Sequence, residues 1–142
     1  MKRVGIYAGS FNPFHIGHLH IAQEAQRLFD EVHIVWAGNP QKNPTTQFPI
    51  PREFLEKRGF IVYEHTGVIT KLFQVSEVRT MIRGLRNGYD LQYESNYRKW
   101  VNEITPINFV YICCPANLEH VSSSELRTLY SIDQRVAERY IV

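Results

Sequence analysis

Apolar positions in this chain form short continuous runs that alternate with segments of helical spacing. Continuous apolar runs bounded by turn residues are typical of strands buried in a parallel sheet. They predict strands at 2–8, 31–37, 60–64, 78–82 and 107–114. Apolar spacing and capping residues predict helices at 19–29, 51–58, 66–76, 90–101, 122–129 and 133–140. Because strands alternate with helices, we expect an α/β fold with a five-stranded, mainly parallel sheet flanked by helices.

Length, charge and cysteine content narrow the class of protein. The 142 residues suit one domain, 1–142, and the net charge of +2 is too small to argue for a nucleic-acid partner. No apolar stretch is long enough to cross a bilayer, and residues 1–3 lead straight into a strand, so we expect neither a membrane partner nor a leader. Neighbours in a strand point to opposite faces, so Cys113 and Cys114 are expected to be reduced core thiols of a cytoplasmic protein.

The segment from Gly9 to His18 carries the strongest chemical indication. It joins the first strand to the first helix and holds two histidines, His15 and His18, on either side of Gly17. Free backbone N–H groups at a helix start suit an anion, and histidines add hydrogen bonds to phosphate. The three-glycine spacing of a dinucleotide site and the i, i+4 histidine pair of a metalloprotease are absent, and we assign no metal ligand. The pattern indicates phosphoryl or nucleotidyl transfer.

A second polar group follows the run 78–82, and ligands of parallel sheets bind beyond the carboxyl ends of strands. Arg83 and Arg86 are able to clamp a phosphate there. Glu94, on the next predicted helix, is able to accept from an amino group or to pair with an arginine. The plainer alternative for all three is a surface charge.

A third polar group, residues 122–127, follows the last strand. Three serines and open N–H groups at a helix start form an anion cradle, which Arg127 is able to reach from one turn further on. The alternative is a plain serine cap. Lys42, in the loop after the second strand, would steady the charge of a phosphate, and His120 would line a nucleotide pocket.

Two of these segments carry a resemblance that spreads over most of the chain. His15-Ile16-Gly17-His18 is similar to the H-x-G-H motif of the nucleotidylyltransferases, and residues 122–127 resemble the serine-rich second motif of that family. The resemblance implies a Rossmann-like nucleotidylyltransferase fold. It also implies in-line attack of an acceptor phosphate on the α-phosphorus of a nucleoside triphosphate, with release of pyrophosphate.

Within the family, two branches compete. Residues 82–86 and 90–94 look like the phosphopantetheine adenylyltransferases, which belong to coenzyme A synthesis. Residues 9–18, 22–25 and 37–40 look more like the bacterial nicotinate mononucleotide adenylyltransferases. We give more weight to the first branch, because residues 82–94 would touch the nucleotide and the acceptor directly. A cytidylyltransferase acting on a small phosphorylated alcohol, or a nucleotide-binding module without catalysis, is a further alternative.

The resemblance implies a set of functional residues. Those expected to bind ATP are Gly9, Ser10, Phe11, His18, Gly84, Leu85, Arg86, Glu94, Leu118, His120, Ser122, Ser123, Ser124 and Arg127. Those expected to bind the acceptor are Ser10, Lys42, Ile69 and Arg83, and those expected to act in catalysis are His18, His15, Lys42 and Arg83. Mg²⁺ is expected on the ATP phosphates rather than in a protein cage. The expected partners are ATP and a phosphorylated small molecule, and the expected assembly is a homo-oligomer, such as a hexamer.

Overall fold

Five parallel strands form one sheet in the computed structural model, which describes residues 2–38 and 47–142. The strands are β1 (Val4–Gly9), β2 (Glu31–Ala37), β3 (Ile61–His65), β4 (Thr80–Leu85) and β5 (Asn108–Cys113). They lie in the order β3-β2-β1-β4-β5, and every strand pairing among the described residues is parallel. The predicted α/β fold with a mainly parallel sheet is confirmed.

Six helices connect and flank the strands. They are α1 (Ile16–Gln26), α2 (Arg52–Glu56), α3 (Ile69–Val75), α4 (Gly88–Ile104), α5 (Ser123–Ile132) and α6 (Gln134–Glu138), with a short 3₁₀ turn at Ala116–Leu118. Helices α1 and α2 share a core with one face of the sheet, and α3 and α4 share a core with the other. Helices α5 and α6 build a third, smaller cluster.

The alternation of side chains along the central strands explains the two cores. In β1, Tyr7 belongs to the core on the α1 side, whereas Ile6 and Ala8 belong to the core on the α4 side. All three are buried, because β1 lies in the middle of the sheet with helices over both faces. The continuous apolar run that predicted a buried strand therefore reflects burial on both sides.

Element boundaries differ from the prediction where a cap or a strand partner extends an element. Helix α1 begins at Ile16, three residues before the predicted start, because the His15 side chain caps it. Strand β4 continues to Leu85 because it stays paired with β5, so Arg83 lies within the strand and not after it. Helix α4 begins at Gly88, since the Asn87 side chain accepts from the Asp90 N–H. The serine cap expected at 122 is confirmed, with the Ser122 hydroxyl accepting from the Glu125 N–H.

The order in which strands are added reverses between β1 and β4. From β1 the chain adds β2 and β3 on one side of the sheet, and then β4 and β5 on the other side of β1. A crevice opens at such a point beyond the carboxyl ends of the strands, and ligands bind there. The functional residues predicted after β1, β4 and β5 meet at this place.

The cysteines depart from the prediction. Both thiols are free, but Cys113 is exposed at the end of the edge strand β5, so its predicted place in the core is wrong. Cys114 is half-buried and packs against the core on the α1 side. No helix in the described part of the chain is long and apolar enough to cross a membrane.

Candidate active site

A cleft of about 410 Å³ lies at the carboxyl ends of β1 and β4. Three different parts of the chain meet in it: the β1–α1 connection, the end of β4 with the start of α4, and the start of α5. The predicted functional residues that line it are Gly9, Ser10, Phe11, His15, His18, Arg83, Gly84, Leu85, Arg86, Glu94, Ser122, Ser123, Ser124 and Arg127. The fold thus gathers most of the predicted site into one cavity.

Three predicted residues lie elsewhere, and a fourth falls outside the part of the chain that the structure describes. Leu118 packs against the α5–α6 cluster, and exposed His120 has its ring 6.0 Å from that of Tyr140, so neither lines the cleft. Ile69, the first residue of α3, packs against the core on the α4 side. Lys42, with most of the predicted loop 38–44, lies outside the described residues.

Sequence reasoning missed several residues that do line the cleft, among them Tyr7 and Cys114. Tyr7 lies inside an apolar strand. The alternation of side chains along a strand predicts which face of the sheet Tyr7 is on, but it does not predict which residues surround it there. Cys114 directly follows β5. The principle that ligands bind beyond the carboxyl ends of parallel strands, which pointed to Arg86 after β4, would also have pointed to Cys114. Asp90 and Tyr93, which belong to the segment expected to touch the nucleotide and the acceptor, line the cleft as well.

The two histidines of the H-x-G-H segment hold each other in place at the start of α1. Nδ1 of His15 accepts from the Gly17 N–H at 3.0 Å and from the His18 N–H at 3.4 Å. In return, the His15 N–H donates to Nδ1 of His18 at 3.1 Å. The rings stack with their centroids 3.6 Å apart. This reciprocal cap resembles the serine–glutamate capping box and fixes the orientation of both imidazoles.

The hydrogen-bond network assigns the tautomer of both rings. Because each Nδ1 accepts a backbone N–H, the ring hydrogen lies on Nε2 in both. Burial, with the nearby Arg86 charge, lowers the pKa of His15 to about 4. Burial, with His15 and Arg86, also lowers the pKa of His18 well below its ordinary value. His18 is therefore neutral near pH 7 and offers Nε2–H as a hydrogen-bond donor.

The start of α1 does not offer the free N–H groups that the sequence suggested. The Ile16 N–H donates to the Tyr140 carbonyl at 2.9 Å, and His15 takes the N–H groups of Gly17 and His18. The expectation that these groups bind an anion is wrong for this structure, because a side chain and a distant backbone segment already satisfy them.

The start of α5 keeps that capacity. The N–H groups of Ser123 and Ser124 have no hydrogen-bond acceptor within residues 2–38 and 47–142, and both residues line the cleft. Helix α5 spans ten residues, so the positive end of its dipole adds to these donors. The geometry is that of an anion cradle.

Residues 12–16 are held by segments far away in the sequence. Nη1 of Arg127 donates to the Asn12 carbonyl at 2.6 Å, and the Ser123 hydroxyl donates to the Pro13 carbonyl at 2.9 Å. The Val142 N–H donates to the Phe14 carbonyl at 3.1 Å. Arg127, expected to bind phosphate, thus also anchors the histidine turn from its place in the cleft wall.

Phe11 packs against the rings around the histidine turn, and its own backbone conformation is unusual. Its φ of 41° is in the left-handed region, which side chains other than glycine rarely adopt. Its buried ring packs edge-on against those of Tyr7, His18 and Trp36 at centroid distances of 4.9 to 5.2 Å. Aromatic packing of this kind stabilises a backbone conformation that would otherwise be unfavourable.

Arg83 and Glu94 form a buried, two-pronged ion pair. Nε and Nη2 of Arg83 donate to the Glu94 carboxylate at 2.8 and 2.7 Å, and the Tyr97 ring lies 4.9 Å from the guanidinium carbon. The Glu94 side chain is only 7% exposed. Burial by itself lowers the pKa of Arg83, but hydrogen bonds and charge from Glu94 outweigh it and the net shift is upward. The pair leaves Nη1 of Arg83 free of Glu94.

A second ion pair shapes the same wall of the cleft. The Asp90 carboxylate accepts from the Arg86 backbone N–H at 2.9 Å and from Nε at 3.1 Å. Both residues line the cavity. The pair orients the Arg86 guanidinium where β4 passes into α4, at the wall of the cleft.

Gly17 is required by its neighbour His15. A Cβ at residue 17 would lie 2.8 Å from Cε1 and 3.0 Å from Nδ1 of the His15 ring, whereas a Cβ at Gly88 meets nothing within 4 Å. Alanine in place of glycine normally stabilises a helix by up to about 1 kcal/mol. We expect Gly17→Ala to destabilise the protein by about 1–2 kcal/mol, through loss of the cap. Urea unfolding of both alanine variants checks this, and Gly17→Ala as stable as Gly88→Ala would contradict it.

Acid should weaken the fold through the same histidines. The His15 pKa of about 4 lies below the ordinary 6.5, so the unfolded chain binds more protons as pH falls from 6.5 to 4. The contribution of neutral His15 to the free energy of unfolding is fully present above pH 6.5. It is lost as the pH falls through this window, by roughly 3 kcal/mol in all. His15→Asn keeps a cap that does not titrate. Chemical unfolding from pH 4 to 8 should therefore show a smaller acid loss for His15→Asn, and parallel curves would refute the assignment.

Comparisons with known proteins identify the family of this chain. The cytidylyltransferase-like family model matches residues 6–129. A phosphopantetheine adenylyltransferase of Porphyromonas gingivalis is 29% identical, over 96% of this chain and 93% of the relative. One of Streptococcus pneumoniae is 30% identical, over 95% and 88%. The chain belongs to the cytidylyltransferase-like family and is a nucleotidyltransferase.

Solved structures show the same Rossmann-like fold at lower identity. Thermotoga maritima TmcAL bound with alpha-thio ATP has a TM-score of 0.66 and 15% identity, covering all of this chain and 53% of that one. Plasmodium falciparum nicotinic acid mononucleotide adenylyltransferase complexed with NaAD has a TM-score of 0.63 and 17% identity, covering 99% and 91%. At this identity the likeness concerns the fold.

Proposed function

We propose that this protein transfers the adenylyl group of ATP to 4'-phosphopantetheine, giving dephospho-coenzyme A and pyrophosphate. The observation that carries the transfer is one cleft that holds a neutral His18 donor, the anion cradle of α5 and the Arg83 guanidinium. The choice of acceptor is supported by relatives named phosphopantetheine adenylyltransferase that align over nearly the full chain.

The chemistry requires positioning and charge stabilisation rather than a covalent intermediate. An oxygen of the acceptor phosphate attacks the α-phosphorus of ATP in line. The new P–O bond forms as the bond from the α-phosphorus to the bridging oxygen breaks, and that electron pair leaves with pyrophosphate. Nε2–H of His18 donates to an α-phosphate oxygen as its negative charge grows.

The arginines have separate parts in this scheme. Arg83, with Nη1 free of Glu94, faces the acceptor phosphate. Arg86 and Arg127, together with the N–H groups of Ser123 and Ser124, hold the triphosphate. These assignments join residues that line one cleft, and each cation there already has a partner that orients it.

Mg²⁺ enters this scheme as part of the Mg-ATP substrate. No group of three or more His, Cys, Asp or Glu side chains within residues 2–38 and 47–142 is arranged to hold a metal ion. The described cleft presents arginines and N–H groups, which suit phosphate oxygens, and its two carboxylates, Asp90 and Glu94, are each paired with an arginine. The ion would therefore be held by the ATP phosphates.

Homo-oligomerisation is part of the same proposal. Helix α4 exposes Tyr89, Leu91, Tyr93, Trp100 and Ile104, and the exposed fraction reaches 89% for Tyr89 and 73% for Trp100. An apolar surface of this kind is typical of an interface. Light scattering of the purified protein measures the number of subunits. A monomer would contradict this part of the proposal alone.

The acceptor is tested by measuring pyrophosphate release from Mg-ATP with one acceptor at a time. The three to compare are 4'-phosphopantetheine, nicotinate mononucleotide and nicotinamide mononucleotide. We expect release with phosphopantetheine alone. Release only with a mononucleotide would favour the branch that residues 9–18 resemble. Bound ATP without release in any of the three would point to another acceptor or to a binding module.

A further inference from the structure

Tyr7 is a cleft residue to which neither the motifs nor the proposed function gives a role. It lies near the end of β1 on the α1 face of the sheet and is 5% exposed. Its ring packs edge-on against Phe11 at 5.2 Å and against His18 at 6.4 Å between centroids. It lines the cleft, so the small part of the residue that remains open faces the cavity.

The Tyr7 hydroxyl makes no hydrogen bond within residues 2–38 and 47–142. Other tyrosines on the sheet do: the Tyr63 hydroxyl bonds with Nδ1 of His33 at 2.9 Å, and the Tyr111 hydroxyl donates to the Glu94 carbonyl at 3.4 Å. A buried phenol normally has a partner, since leaving it unpaired is unfavourable. A phenol that is buried on all sides except toward a cleft is therefore placed to bond to whatever occupies that cleft.

The surroundings of the hydroxyl indicate which group it meets. Tyr7 pairs in register with Ile82, the residue before Arg83, on the neighbouring strand β4. The Tyr7 ring also lies beside the ring of His18. The Arg83 charge acts on the Tyr7 phenol, so Tyr7 neighbours both the residue expected to hold the transferred phosphate and the residue expected to hold the attacking one.

The charge state suits a donor. Burial raises the pKa of the Tyr7 phenol, and the Arg83 charge opposes that rise only in part. The hydroxyl stays protonated at neutral pH and is able to give its hydrogen to an anionic oxygen. Phosphate oxygens accept such bonds strongly.

We propose that the Tyr7 hydroxyl is a substrate-contacting group that donates a hydrogen bond to a phosphate oxygen of bound ATP, beside His18. This inference rests on the proposed function for its ligand. It adds a donor from the floor of the cleft to those from α1 and α5, and the apolar strand pattern around Tyr7 gave no sign of it.

Tyr7→Phe tests the proposal because it removes only the hydroxyl and keeps the ring. Tyr63→Phe is the matched control, since the Tyr63 hydroxyl bonds to His33 and does not line the cleft. We expect Tyr7→Phe to weaken ATP binding and to lower kcat/KM by about tenfold or more, the usual effect of losing a hydrogen bond to a charged group. Its Tm should equal or exceed that of the wild type, because the lost hydroxyl has no bond within the described residues.

The measurements separate this proposal from the function on which it rests. Calorimetric titration with Mg-ATP needs no acceptor, so it decides on Tyr7 even if none of the three acceptors releases pyrophosphate. Unchanged Kd and kcat/KM in Tyr7→Phe would overturn the Tyr7 proposal while leaving adenylyl transfer intact. A lower Tm with unchanged Kd would show a structural role and also overturn it. A wild-type protein that does not bind ATP would overturn both.

Discussion

Replacing His18 with alanine should lower kcat by at least about 10²–10³ while ATP binding stays within a few fold of the wild type. Loss of one preorganised donor to a developing oxyanion has an effect of this size. Because His18 is neutral and donates through Nε2–H, the interaction grows stronger only as charge builds on the α-phosphate. Single-turnover pyrophosphate release and calorimetric ATP titration measure the two quantities separately.

His18→Asn is the matched control for this prediction. The asparagine oxygen is able to accept the His15 N–H, as Nδ1 of His18 does, but the side chain is too short to place a donor where Nε2 lies. We expect His18→Asn to retain near wild-type stability and to be as inactive as His18→Ala. An active His18→Asn would mean that His18 acts only by holding the turn.

Replacing Arg83 with methionine should lower both the stability of the protein and its turnover rate. Glu94 would remain buried without its partner. An unpaired buried charge of this kind typically lowers the free energy of unfolding by about 3–5 kcal/mol. Turnover should fall by about 10²–10³ through loss of the cation facing the acceptor. Urea unfolding and steady-state kinetics with 4'-phosphopantetheine check the two effects.

The double variant Arg83→Met with Glu94→Gln separates the two effects. Because no unpaired charge is then buried in the wall of the cleft, we expect the free energy of unfolding to return to within about 1–2 kcal/mol of the wild type. Activity should stay lost, because the guanidinium is still absent. If activity returned together with stability, Arg83 would be a structural residue, and its expected role toward the acceptor would be wrong.

The helices and strands were predictable where the governing forces are local. Apolar runs, serine and aspartate caps and the spacing of turns depend on residues a few positions apart, so the order of elements and the serine cap at 122 followed from the sequence. The errors also have local reasons. The start of α1 was placed three residues late because a histidine is an uncommon cap, and its role here needs His18 as a reciprocal partner.

The membership of the cleft was partly predictable. Residues near the carboxyl ends of parallel strands meet at one edge of the sheet, so His18, Arg83 and Ser123 were expected to come together, and they line one cavity. Leu118, His120 and Ile69 were expected there through the family resemblance, and they lie elsewhere. A motif alignment gives positions along the chain, whereas packing of the α5–α6 cluster and of α3 decides where those side chains point.

Local sequence patterns specify the alternation of strands and helices, the H-x-G-H turn and the serine-rich helix start, because apolar periodicity and helix capping act between near neighbours. Packing between distant segments sets which hydrogen-bond donors remain available to a ligand. It assigned the N–H groups of α1 to His15 and Tyr140, and it joined Arg127 to Asn12 across 115 residues. It also placed the buried Tyr7 in the lining of the cleft. Hydrogen bonds and burial between distant segments depend on how the elements pack, which no local pattern specifies.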